Sequence, residues 1–193
     1  MDDAAARVAA GLRAAAALHE ASAAACAATL AAAADRVLAA LDAGGTVLVF
    51  GNGGSAADAQ HFVAELVGRY EAGRDRRALP ALALAADPSV VTALGNDLGF
   101  DRVFARQVEA FGRAGDVALG ITTSGRSPNV IAGLETARQR GLATIALTGR
   151  CEGLVLPVDV HVAVPADRTP RVQEVHGTLL HLLCELVEEG LKD

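Results

Sequence analysis

Tryptophan is absent from this chain, tyrosine and methionine occur once each, and aromatic residues make up only 3%. A core in 193 residues must therefore be built from Val, Leu, Ile and Ala, and that length suits a single domain, 1–193. Basic residues are also scarce: 17 Lys and Arg against 23 Asp and Glu leave a net charge of −6. A broad phosphate-binding face needs a basic excess, so no nucleic-acid partner is expected. A pocket for one small phosphate stays open. The three cysteines, Cys26, Cys151 and Cys184, are widely spaced and form no CxxC pair. They indicate neither a disulfide framework nor a zinc knuckle, and reduced thiols in a cytoplasmic protein are expected. Cys151 follows a strand and is a candidate for exposure. The opening MDDAAARVAAGLR has no apolar core for a signal peptide. The Ala-rich stretch 21–41 is broken by Asp35 and Arg36 and makes a poor membrane span.

What is present is an alternation. Two Ala-rich helical stretches, about 4–20 and 21–42, read as an N-terminal hairpin over 1–43 that stops at Gly44-Gly45. Apolar runs at 46–50, 81–85, 117–121, 143–148 and 160–164 follow, separated by helical patterns near 55–70, 89–95, 101–111 and 128–140. A last helix covers about 172–190. Continuous apolar strands spaced by helices predict a parallel sheet covered on both faces. The expected fold is α/β: a three-layer, doubly wound, five-stranded core over 44–193. In the last helix, Val172, Val175, Leu179, Leu182 and Leu186 form a stripe, and Leu180, Leu183, Cys184 and Val187 widen it. A helix this apolar, beside an Ala-rich hairpin of small buried area, implies association with further copies of the chain.

Three constellations carry chemistry. The strand TVLVF runs into Gly51-Asn52-Gly53-Gly54-Ser55, and glycines there let backbone N–H groups approach an anion at a helix N-terminus. Ser55 is placed to cap that helix, with Asp58 three residues on. A tight turn with a good cap explains the loop equally well. The pattern is neither GxGxxG nor a Walker loop. In the following helix His61 and Glu65 stand at i and i+4, a spacing that suits a shared metal or an acid–base pair, and equally an ordinary polar face. After VALGI comes Thr122-Thr123-Ser124-Gly125-Arg126-Ser127-Pro128, four hydroxyls at a strand's C-terminal end where open α/β sheets bind ligands. The third piece is Arg171-Val172-Gln173-Glu174-Val175-His176, with His181 beyond. Gln173 and His181 stand about 12 Å apart along a helix axis, so a common site requires convergence from opposite ends or from different subunits. His176 is an alternative to His181. The segment Arg74-Asp75-Arg76-Arg77 reads as a solvated loop.

VFGNGGSAADAQHFVAELVGRY, GNDLGF, EAFGRAGDVALGITTSGRSPN, ALTG and RVQEVHGTLLH, in this order, resemble the phosphoheptose isomerase family of the SIS-domain superfamily across roughly 45–190. The resemblance implies an aldose–ketose isomerase acting on sedoheptulose 7-phosphate through a cis-enediol, giving a D-glycero-heptose 7-phosphate. It implies one zinc per subunit on His61, Glu65, Gln173 and His181, with Glu65 as base and His181 as acid or ring-opening group. Substrate contacts would be Asn52, Gly53, Gly54, Ser55, Asn96, Asp97, Thr122, Thr123, Ser124, Ser127 and Gln173. It further implies a cytoplasmic homotetramer with sites at subunit interfaces, and no membrane partner. Many members read A-D-R-I-Q before the last helix; here Thr169-Pro170-Arg171-Val172-Gln173 has no Asp at that point, and a sugar contact made by that Asp would fall to Thr169. Non-catalytic relatives, one that associates with a replication initiator and others that sense sugar phosphates, are the alternative. As the family pattern reads, the initiator-associating relative lacks counterparts of Glu65 and His181.

Overall fold

The computed structural model describes residues 2–73, 75–151 and 156–191. The chain forms a five-stranded sheet in the order β2-β1-β3-β4-β5. Its strands are β1 (Val47–Gly51), β2 (Ala81–Ala83), β3 (Val117–Thr122), β4 (Ala143–Thr148) and β5 (Val160–Ala163). Every pairing is parallel, with Val47 beside both Ala81 and Val117. The helices are α1 (Asp2–Asp42), α2 (Gly54–Val67), α3 (Pro88–Leu98), α4 (Val103–Phe111), α5 (Pro128–Gln139) and α6 (Thr169–Gly190). A short 3-10 turn, Phe100–Arg102, precedes α4.

Successive side chains of a strand point to opposite faces, and β1 shows both faces buried. Val47 and Val49 join a core with Val37, Phe62, Leu180 and Leu183, while Leu48 and Phe50 join a second with Phe104, Val130 and Leu134. Phe50 stacks on Phe104 at 5.2 Å between ring centroids. The three layers follow: α1, α2 and α6 on one face, α4 and α5 on the other.

The N-terminal hairpin is not formed. Residues 2–42 make one helix of 41 residues, about 62 Å long at about 1.5 Å per residue. Between the two stretches stands Glu20-Ala21-Ser22, with neither Gly nor Pro to turn the chain. Ser22 instead returns its hydroxyl to the Leu18 carbonyl at 2.7 Å, which is compatible with uninterrupted helix. The stop expected at Gly44-Gly45 does occur, with Gly44 at φ 80°. The C-terminal half of α1 buries Cys26, Leu30, Ala33, Val37 and Leu41, whereas Val8 and Leu12 are 64% and 67% exposed. By length and composition alone this continuous helix could cross a membrane. In the fold, its inner half is a core helix.

α6 buries Val172, Val175, Leu179, Leu180, Leu183, Cys184 and Val187, but Leu182 and Leu186 of the expected stripe are exposed. A heptad repeat drifts by about 20° per repeat on a straight helix, which carries those two leucines to the edge of the buried arc. No residue of α3 is buried.

Candidate active site

The chain passes from β1 to β2 on one side and continues to β3 on the other, so the sheet order reverses at β1. Ligand crevices of doubly wound sheets open at such a point, outside the strands' C-terminal ends. Both loops singled out from the sequence leave the sheet there. They are tied together by a residue that sequence reasoning missed: Asn52 and Asn129 exchange two hydrogen bonds, each 2.8 Å between Nδ2 and Oδ1. Asn129, at the start of α5, is buried.

In the first loop Gly53 precedes α2 with φ 55° and ψ −121°, a conformation open to glycine and costly for other residues. Ser55 does not cap the helix. Gly53 occupies the cap position without a side-chain bond, and Ser55 lies buried two residues past it, inside the helix. At Gly54 a methyl group would collide with the Gln173 carboxamide. A side chain there would have to displace the end of Gln173. In the second loop Thr122 Oγ1 lies 2.9 Å from Ser127 Oγ and 3.4 Å from Ser124 Oγ, and Ser124 Oγ accepts from the Arg126 amide at 3.2 Å. The hydroxyls thus face one another in a compact cluster. Thr123 and Ser124 also line a cavity of about 360 Å³ with Arg126, Arg150 and Asp167.

From this edge α2 and α6 descend side by side. Gln173 meets Gly54 and, at 3.5 Å, Asp58. Two turns on, His61 Nε2 lies 2.9 Å from His181 Nε2, and 3.6 Å from the Glu65 carboxylate. The imidazoles meet edge to face at 5.1 Å, and the Tyr70 ring lies 5.8 Å from His181. His181 therefore meets His61, which in turn faces Glu65, within one chain, and no second subunit is needed for that convergence. His176 does not compete: it is fully buried, and burial pushes its imidazole down to about 4. Burial also raises the Asp58 carboxyl, with the Gln173 bond and His61 opposing, and Asp58 Oδ2 has no hydrogen-bond partner. Burial lifts the Cys26 thiol, and lifts Cys184 to about 12. Cys151 is half-buried, its thiol 3.3 Å from Thr148 Oγ1.

Among the described residues, no three His, Cys, Asp or Glu side chains already stand in a coordination geometry. Two separations, from His61 to His181 and from His61 to Glu65, are nonetheless near those of a zinc site. Tetrahedral zinc with bonds of about 2.0–2.1 Å separates its ligand atoms by about 3.3 Å, and the separations of 2.9 and 3.6 Å bracket that value. Gln173 stands above this group, beside Asp58. Asn96 and Asp97 are not brought to the crevice: Asn96 donates to Asp97 at 2.7 Å on the exposed end of α3. The Arg-rich segment is solvated at Asp75 and Arg77, but the side chain of Arg76 is not. Arg76 is buried and ion-paired with Glu188 at 2.6 Å, while Arg77 donates to the Leu41 carbonyl at 3.2 Å; Arg74 lies outside the described residues.

A parallel sheet of this order, a glycine-rich and a hydroxyl-rich loop at its reversal point and a carboxylate–imidazole pair below them define a SIS-type sugar-phosphate domain. The SIS domain profile matches residues 12–149, and the chain belongs to that family. Within it, relatives that match over most of the chain include phosphoheptose isomerases. One from Bordetella avium is 52% identical over 190 residues, covering 96% of this chain and 95% of its own. Another, from Citrifermentans bemidjiense, is 57% identical over 156 residues, 80% of each chain. The solved phosphoheptose isomerase of Neisseria gonorrhoeae superposes with a TM-score of 0.87 at 43% identity, covering 95% of this chain and 97% of that one. The enzyme of Francisella tularensis superposes at 0.90 and 36%, covering 96% and 98%.

Proposed function

We propose that this chain isomerises sedoheptulose 7-phosphate to a D-glycero-heptose 7-phosphate, the first step of activated heptose biosynthesis. The observation that carries the reading is the meeting of His61, Glu65 and His181 beneath two phosphate-type loops, in a chain whose near-full-length relatives are phosphoheptose isomerases.

The phosphate is held at Thr122, Thr123, Ser124 and Ser127, whose hydroxyls and neighbouring helix start suit an anion without a basic patch. Asn52, Gly53, Gly54, Ser55 and Gln173 line the sugar. With the ring open, the Glu65 carboxylate takes a proton from C1 as the C2 oxygen is protonated, with His181 as the acid. This gives a cis-enediol with a C1–C2 double bond. Return of a proton to C2 and loss of one from the C1 hydroxyl leave the aldose, so the reaction is proton-neutral overall. A positioned acid and base of this kind contribute about 10²- to 10⁴-fold each.

Zinc belongs to the same proposal, held by His61, Glu65, Gln173 and His181. When bound it supplies charge stabilisation at the substrate's carbonyl and hydroxyl oxygens. The donor spacing and the mixed nitrogen and oxygen set support this, and the lack of thiolates points to moderate affinity. A cytoplasmic homotetramer is the proposed assembly. The exposed Val8 and Leu12 of α1, Leu98 at the end of α3 with Phe100 beyond it, and Leu182 and Leu186 of α6 support it. Asn96 and Asp97 then serve a site at a subunit interface.

The direct test is incubation of the purified protein with sedoheptulose 7-phosphate, monitoring aldose formation, with zinc measured on the same sample. Aldose formation is expected. No turnover in zinc-replete protein, together with capture of a replication initiator, would transfer the chain to the binding proteins of this superfamily.

A further inference from the structure

Glu65 and His181 stand on different helices, so their separation depends on what fixes α2 against α6. At the sheet end, Gly54 packs on Gln173. At the other end the fixture is Arg76, which belongs to neither helix. Its Nη2 donates to the Glu65 carbonyl at 2.7 Å, its Nη1 to the Leu66 carbonyl at 2.9 Å, and its Nε to Glu188 Oε1 of α6 at 2.6 Å. Both side chains are buried, at 7% and 2% exposure. The same Glu188 oxygen accepts from the Tyr70 amide at 3.0 Å, and the Tyr70 hydroxyl donates to Glu185 of α6 at 2.8 Å.

The carbonyls of Glu65 and Leu66 lie in the last turn of α2, where a helix lacks its own N–H partners and carries partial negative charge. A guanidinium answers both needs and also offers a planar fork that bonds in several directions at once. One rigid group therefore holds the backbone of the residue read as the base. The same group holds the helix carrying the residue read as the acid, two turns beyond His181.

We propose that Arg76 is a positioning residue for the reaction. Its guanidinium sets the spacing between the Glu65 carboxylate and the His181 imidazole, through Glu188, without touching the substrate. The proposal rests on the reading that these two residues move the protons. A displacement of about 1 Å in a catalytic group costs about 10²-fold in rate, which sets the scale expected.

The test is Arg76→Lys, which keeps a charge opposite Glu188 but loses the fork. The expected result is a fall in kcat of about 10- to 100-fold. KM should stay within about threefold, with thermal midpoint and oligomeric mass near those of the wild type. In Arg76→Ala, millimolar ethylguanidinium should restore part of kcat while ethylammonium does not, a response that a purely structural role would not give. Where Arg76→Ala does not fold, Arg76→Lys alone decides. A kcat within twofold of wild type in Arg76→Lys, or a loss that follows only the unfolded fraction, overturns the proposal. An inactive wild type overturns the isomerase reading and this inference with it, whereas an active wild type beside an undiminished Arg76→Lys overturns this inference alone.

Discussion

The Asn52–Asn129 pair joins the two loops of the crevice and lends itself to a quantitative test. Two amides exchange two hydrogen bonds of 2.8 Å each, with Asn129 2% exposed. Neutral bonds of this kind contribute about 0.5–1.5 kcal/mol each, and a buried polar group left without its partner costs about 1–3 kcal/mol. Asn129→Ala deletes both bonds and strands the Asn52 amide, so a loss of about 2–3 kcal/mol is expected. For a chain of this size that lowers the thermal midpoint by roughly 4–10 °C. Asn52→Ala should cost a similar amount. The double variant strands neither partner, so it should lose about 1–2 kcal/mol less than the two single losses added together. The assay is urea unfolding of all four proteins at one fixed concentration, since assembly makes stability concentration-dependent. Single-variant losses that simply add, within about 0.3 kcal/mol, would refute the claim that the two loops are held as a unit.

His176 predicts an acid-sensitive fold. Above about pH 6.5 both folded and unfolded chains carry it neutral; below that the unfolded chain takes a proton that the native chain refuses until about 4. Stability should therefore fall by up to about 1.4 kcal/mol per pH unit across that window, and His176→Leu should flatten the fall in melts between pH 7.5 and 5. Gly53→Ala forces a side chain into φ 55° and should cost about 1–3 kcal/mol along with most of the substrate affinity, read as KM. Gly54→Ala should displace Gln173 and raise KM while leaving the thermal midpoint nearly unchanged, because the group in the way is the end of a flexible side chain. Zinc content, measured by mass spectrometry after purification in zinc, should drop from one equivalent to near none in His61→Ala; full retention would remove His61 from the ligand set.

The sheet and its two loops were legible because each strand is a short apolar run between glycines and helical repeats. Local chemistry names the crevice as well, since Gly53-Gly54 and Thr122 through Ser127 lie where chain and strand end together. What the sequence concealed was set by partners far along the chain. Arg76 looks solvated until Glu188, 112 residues on, closes over it. Asn129 looks like an ordinary helix-start residue until Asn52 meets it 77 residues away. Ser55 has the composition of a cap, but with Gly53 at the cap it is the second residue of the helix. α1 read as two helices because its pattern changes near residue 20, although nothing there breaks a helix. The i,i+4 pair of His61 and Glu65 was visible and uninformative by itself; His181, 120 residues beyond His61, gives it meaning.

The central claim is that Glu65, linked to His181 through His61 within one chain, is the base that removes the C1 proton. The most direct measurement is kcat on sedoheptulose 7-phosphate for Glu65→Gln beside wild type, at matched zinc content and oligomeric mass. A loss of at least about 10²-fold is predicted, and turnover within tenfold of wild type would contradict it.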